Sequence, residues 1–167
     1  MDTLIKKIIE ELRENVMADR GIKRIVYEDP IFVAKADTPC IIVYPLQTQP
    51  QTITNYGDID NLTVEIGLVL DSRDYCGNTD CDPEDALNVD VAIKAIEIME
   101  ERDDDYTIRP NTIIGVIRKN LYYVSGLIVK NEIQGVTYQA IPEEEYPIYV
   151  ATVRVSFMSD TYCRAEI

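Results

Sequence analysis

The sequence predicts an α+β fold, a mainly antiparallel β-sheet with two α-helices packed on one face. Three observations carry that prediction. Residues 62–70 alternate strictly: Leu62, Val64, Ile66, Leu68 and Leu70 point one way, Thr63, Glu65 and Gly67 the other. Such a period of two marks a sheet covered on one face only. Residues 147–158 repeat it, with Tyr149, Ala151, Val153, Val155 and Phe157 apolar against Thr152, Arg154 and Ser156. Two other stretches, 2–16 and 83–102, carry apolar residues at helical spacing instead.

In chain order, Asp2 or Thr3 caps a first helix in which Ile5, Ile8, Ile9, Leu12 and Val16 form one face. A glycine after Asp19 and Arg20 ends it. Short strands follow at 22–27 and 40–44, the second bracketed by Pro39 and Pro45. Residues 46–60 turn polar, rich in Gln and Thr, and read as a long hairpin connection or an extended arm. The strand 62–70 leads into an acidic loop, 71–82, holding Cys76 and Cys81. Asp82 then caps a helix with Pro83 at its first position and Glu84 and Asp85 at the positive end of its dipole. On this helix Leu87, Val89, Val91, Ala92, Ala95, Ile96, Ile98 and Met99 span roughly 200° of the circumference, twice the arc that a surface helix needs. Asp103, Asp104 and Asp105 oppose the dipole and should stop it. The last third reads as strands: weakly alternating at 112–119, then 121–124, 127–130 and 136–141, with a charged loop at Glu143, Glu144 and Glu145. Arg154 and Glu65, both on polar strand faces, are expected to pair across a ladder, a contact worth at most about 1 kcal/mol.

The 167 residues are expected to form one domain, with the polar connection at 46–60 and an additional β-rich region at 119–146. No apolar run approaches the length of a membrane span, and the N-terminus reads as an amphipathic helix rather than a signal peptide, so a cytoplasmic site of synthesis is expected. Net charge is −14, of which −10 falls within residues 71–105. Gripping nucleic acid requires a basic face, and the sequence offers none. Letting DNA pass while repelling it is compatible with this charge.

Histidine is absent, which removes the commonest general base and metal ligand and excludes Ser-His and Cys-His nucleophile pairs. No phosphate-cradling glycine loop or dinucleotide fingerprint is present. An EF-hand register from Asp71 or Asp74 fails for want of ligands and of a glycine at the sixth position. A strand-borne carboxylate nuclease motif fails because Gly67, not lysine, stands two residues after Glu65. Cys76 and Cys81 with Cys40 and Cys163 make a four-cysteine zinc site conceivable, but free thiols are the simpler reading, and no metal or cofactor is expected. The chain therefore reads as a non-enzyme.

The layout of an N-terminal amphipathic helix (4–16), a hairpin with a long polar connection (40–70), an acidic-capped helix (83–101) and a closing strand (149–157) resembles that of tail-terminator and tail-completion proteins of long-tailed bacteriophages. The resemblance is one of organisation, without a short invariant signature, and the 119–146 region and the Cys76–Cys81 loop are additional to it. It implies a virion structural protein at the tail–neck junction, assembled in the bacterial host cytoplasm. Such a protein forms a homo-oligomeric, usually hexameric, ring that caps the tail tube protein and meets the head connector or neck proteins. DNA passes through the lumen without specific binding, and no membrane is involved. On this reading Leu87, Val91, Ala95 and Ile98 are the candidate subunit interface. Gln47, Gln49, Gln51, Thr52, Asn55, Tyr56, Asp71, Asp74, Asp80, Tyr122 and Tyr138 are candidates for tube, connector or lumen contacts. A head-completion or neck protein of the same ring type is the nearest alternative. From other classes come a small intracellular metal-binding regulatory protein built on Cys76 and Cys81, and an acidic DNA mimic.

Overall fold

The computed structural model describes residues 2–27, 37–54, 57–75, 89–121, 123–124, 127–141 and 147–160; for some of these, 47–54 and 57–62 among them, the backbone alone. Its centre is a six-stranded sheet in the order β1-β2-β3-β6-β5-β4, formed by β1 (Arg24–Val26), β2 (Cys40–Thr54), β3 (Gly57–Asp71), β4 (Tyr123–Val124), β5 (Leu127–Ile141) and β6 (Ile148–Asp160). Every neighbouring pair is antiparallel except β1 and β2, which run parallel. The fold is α+β, as the alternation of 62–70 and 147–158 predicts.

That alternation decides which face is covered. Val64, Ile66, Leu68 and Leu70 of β3 and Ala151, Val153, Val155 and Phe157 of β6 are buried in one large core, shared with the helices. Thr63, Glu65 and Gly67 face the other side, where Glu65 lies opposite Arg154 in the register and accepts its guanidinium at 3.1 Å. Towards the β1 end this outer face carries a smaller apolar cluster of Cys40, Ile42 and Val69.

Helix α1 (Asp2–Leu12) buries Ile5, Ile8 and Leu12, passes through a π-helical turn (Arg13–Met17) that buries Val16, and ends in α2 (Ala18–Arg20). Gly21 takes the left-handed conformation at φ 67°, and the Ile22 amide donates back to the Met17 carbonyl at 3.0 Å, a Schellman closure. The π turn has no counterpart in the apolar spacing of the sequence.

Helix α3 (Val89–Glu100) packs Val91, Ala95, Ile98 and Met99 into the core. Its predicted start at Asp82 and Pro83, with Leu87, lies outside the described residues. The stretch 112–119, expected as strand, is instead helix α4 (Ile113–Asn120). Thr112 caps it, accepting the Gly115 amide at 3.0 Å, and Ile113, Ile114, Gly115, Val116 and Ile117 are all buried. Its apolar run is only the five buried residues 113–117, too short for a helical period to be told from a strand. The face therefore carries α1, α3 and α4 rather than two helices.

The polar stretch 46–60 takes the extended form of its two expected ones. It is not a connection: β2 and β3 remain paired through it to Thr54↔Gly57, with register shifts at Pro45/Gln47 and Thr52/Thr54. Gln47, Gln49, Gln51 and Thr52 thus sit on β2 within the sheet, which β6 continues as far as Ile59↔Asp160, so that only the hairpin tip beyond Ile59 is two-stranded; Asn55 and Tyr56 lie outside the described residues. Segments 127–130 and 136–141 join into the single strand β5, bulged between Ile133 and Gly135.

Candidate interaction surface

The wide apolar arc predicted for the second helix divides into two flanks. One is core. Val91, Ala95 and Ile98, expected at a subunit interface, are each fully buried against this chain's own sheet and helices. They are unavailable to a neighbour, because the arc first has to satisfy the sheet beneath it. The other flank is exposed: Val89 is 71%, Ile93 49% and Ile96 45% accessible. These three repeat at i, i+4 and i+7 and so line a single stripe on the side of α3 away from the core. Ile93 escaped the sequence reading, although its spacing of four from Val89 was the available signal. Lys94 and Glu97, 3.9 Å apart, border the stripe.

The carboxyl end of α3 is tied down by ion pairs. Glu101 meets Arg20 at 2.6 Å and Arg109 at 3.6 Å, while Arg109 also engages Asp103 at 2.8 Å. Arg20 and Glu101 form a close ion pair. It holds the Glu101 carboxyl below its ordinary value, with Arg109 adding to the effect. Arg20 donates further to Asn111, at 3.0 Å and 2.8 Å, so the ends of α2 and α3 and the approach to α4 share one network. Beyond it the three aspartates form a tight turn. The Asp103 amide donates to the Thr107 carbonyl and the Tyr106 amide to the Asp103 carbonyl, each at 2.8 Å. At its tip Tyr106 is 80% exposed and held at φ 64°.

The remaining candidates are dispersed. Asp71 is not a solvated or lumen charge: it is 1% exposed and receives the Arg73 amide at 3.0 Å and its guanidinium at 3.0 Å and 2.7 Å. A carboxylate at a strand end inside the fold needs such partners. Asp74 is exposed on the 3₁₀ turn that follows, and Tyr75 beside it is pushed up to about 12, chiefly by burial and then by Asp74 and Asp71. Tyr138 is likewise not a free surface contact. It packs against the core from β5 and donates its hydroxyl to Glu100 at 2.9 Å, and burial and that carboxylate both raise its pKa. Asp80, Tyr122, Cys76 and Cys81 lie outside the described residues. Among the described residues no group of three metal-ligating side chains comes together, and Cys40 is buried. No helix among them is long and apolar enough to cross a membrane.

No protein-family model matches the chain, and no curated protein sequence matches it.

Proposed function

We propose that this protein is a ring-forming structural subunit, a bacteriophage tail terminator that caps the tail tube and joins it to the head connector. The observation that carries the reading is the α3 stripe of Val89, Ile93 and Ile96, apolar surface left over after the core is complete. A subunit of a closed ring needs such a surface, and the ion-pair network at the end of α3 anchors the helix that bears it. Three further features support it. The β2–β3 hairpin, paired to Thr54↔Gly57, runs past the last β6 partner of β3 at Ile59 and offers the backbone of its tip for contact with a tube or neighbour. A net charge of −14 per subunit suits a lumen through which DNA must slide without sticking. The order of helix, long hairpin, helix and closing strand is that of the family the sequence resembles.

The test is tube growth. Purified protein added to polymerising tail-tube subunits of the same phage is expected to shorten the tubes in proportion to dose and to leave a ring at one end. Tubes whose length distribution ignores the protein would overturn the assignment.

A further inference from the structure

The two long edges of the sheet differ in how they are protected. Among the described residues β1 pairs only with Cys40, Ile41 and Ile42 of β2, and the rest of that edge carries Pro45, Pro50 and two register shifts. Prolines and bulges are what keep an edge from accepting another strand. Among the same residues β4 pairs only with Leu127 and Ile128 of β5. From Lys130 to Ile141 no β5 residue is fully buried, whereas β6 beside it buries every second residue from Tyr149 to Phe157. Residues 133–141 contain no charge and no proline, and they include Ile133, Val136, Thr137, Tyr138 and Ile141, all strong strand formers. Among the described residues their outer row of amide and carbonyl groups has no strand partner, and the natural complement of such a row is another extended strand.

We propose that residues 133–141 of β5 pair antiparallel with the same residues of a second copy, about a two-fold axis at Thr137. That register sets Val136 of each copy against Tyr138 of the other, two β-branched–aromatic pairs on the helix side of the sheet. Thr137 meets Thr137 on the outer side, where its side chain is exposed. The Tyr138 ring is already fixed by its bond to Glu100, so little side-chain freedom is lost on pairing. Charge favours the same choice. Two copies, each at −14, repel, and an uncharged segment is where they can approach closely. Two-fold pairing also consumes the edge in both copies, so the contact closes rather than growing into a fibre. It uses β5 rather than the α3 flank and stands apart from the ring reading.

Sedimentation equilibrium over a wide concentration range tests this. The wild type is expected to approach twice 19.0 kDa at the upper end. Thr137→Lys and Thr137→Glu should each weaken the dimer about fivefold, because like charges then face each other across the axis. An equimolar mixture of the two should recover it, and both variants should unfold at the wild-type urea midpoint, since Thr137 is exposed. A wild type that stays monomeric overturns the pairing, as does a mixture that associates no better than its components. A wild-type ring whose mass is indifferent to Thr137→Lys overturns it too, while leaving the ring reading intact.

Discussion

Asp71 and Glu101 are both acidic residues in or beside the most negative part of the chain, yet they do different work. Asp71 is sealed inside and bonded to Arg73 through one amide and two guanidinium contacts. Asp71→Ala is therefore expected to cost about 2–3 kcal/mol in urea unfolding, the range for hydrogen bonds to a buried charge. Asp74→Ala, on an exposed carboxylate three residues away, should stay within about 0.5 kcal/mol of wild type. Glu101 contributes through pH. Arg20, and with it Arg109, holds its carboxyl below the ordinary 4.5, so the folded chain gives up this proton more readily than the unfolded one. The stability gained is present above that value and is lost as pH falls through the folded-state one. Urea midpoints followed from about pH 6 to about pH 3 should thus fall less steeply in Glu101→Gln than in wild type. The sequence revealed one of these residue-level contacts in advance. Glu65 and Arg154 both sit on the outward phase of a period-two pattern, and strand phase alone limits which charges can meet. Asp71 was misread because composition makes a charge run look solvated, and burial depends on partners such as Pro147, whose carbonyl receives the adjacent Ser72 amide at 3.0 Å.

At the scale of elements, the alternating strands were legible and the buried helix α4 was not. Strands covered on one face write their environment into the sequence; a buried run of five apolar residues, 113–117, is too short to show a helical period. Its local signals were Thr112 as a cap and Arg118 and Lys119 in the last turn. Thr112→Ala should destabilise by about 1–2 kcal/mol. Gly115→Ala, which on helix propensity alone would stabilise, should instead cost about 2 kcal/mol. A Cβ there would run into the Arg109 carbonyl oxygen and lie 2.8 Å from the Thr112 hydroxyl. Helix α3 offers a paired test of its two flanks. Ile98→Glu places a charge in the core and is expected to prevent folding. Ile93→Glu and Ile96→Glu, on residues 49% and 45% exposed, should leave the circular dichroism spectrum and urea midpoint close to wild type. The arc on the helical wheel correctly announced more apolar surface than one sheet requires. Which flank was the surplus depends on where the sheet lies, which a wheel does not encode.

For the whole molecule, a complete core beneath α1, α3 and α4, a β2–β3 hairpin reaching past β6 and an exposed α3 stripe on a strongly acidic chain support a subunit built to be joined to copies of itself. Electron microscopy of tail tubes incubated with wild type and with the Ile93→Glu/Ile96→Glu double variant tests that account most directly. Wild type is expected to seat a ring on the tube end, and the folded double variant to leave the end bare. Bare ends with wild type, or rings formed equally well by the double variant, would contradict it.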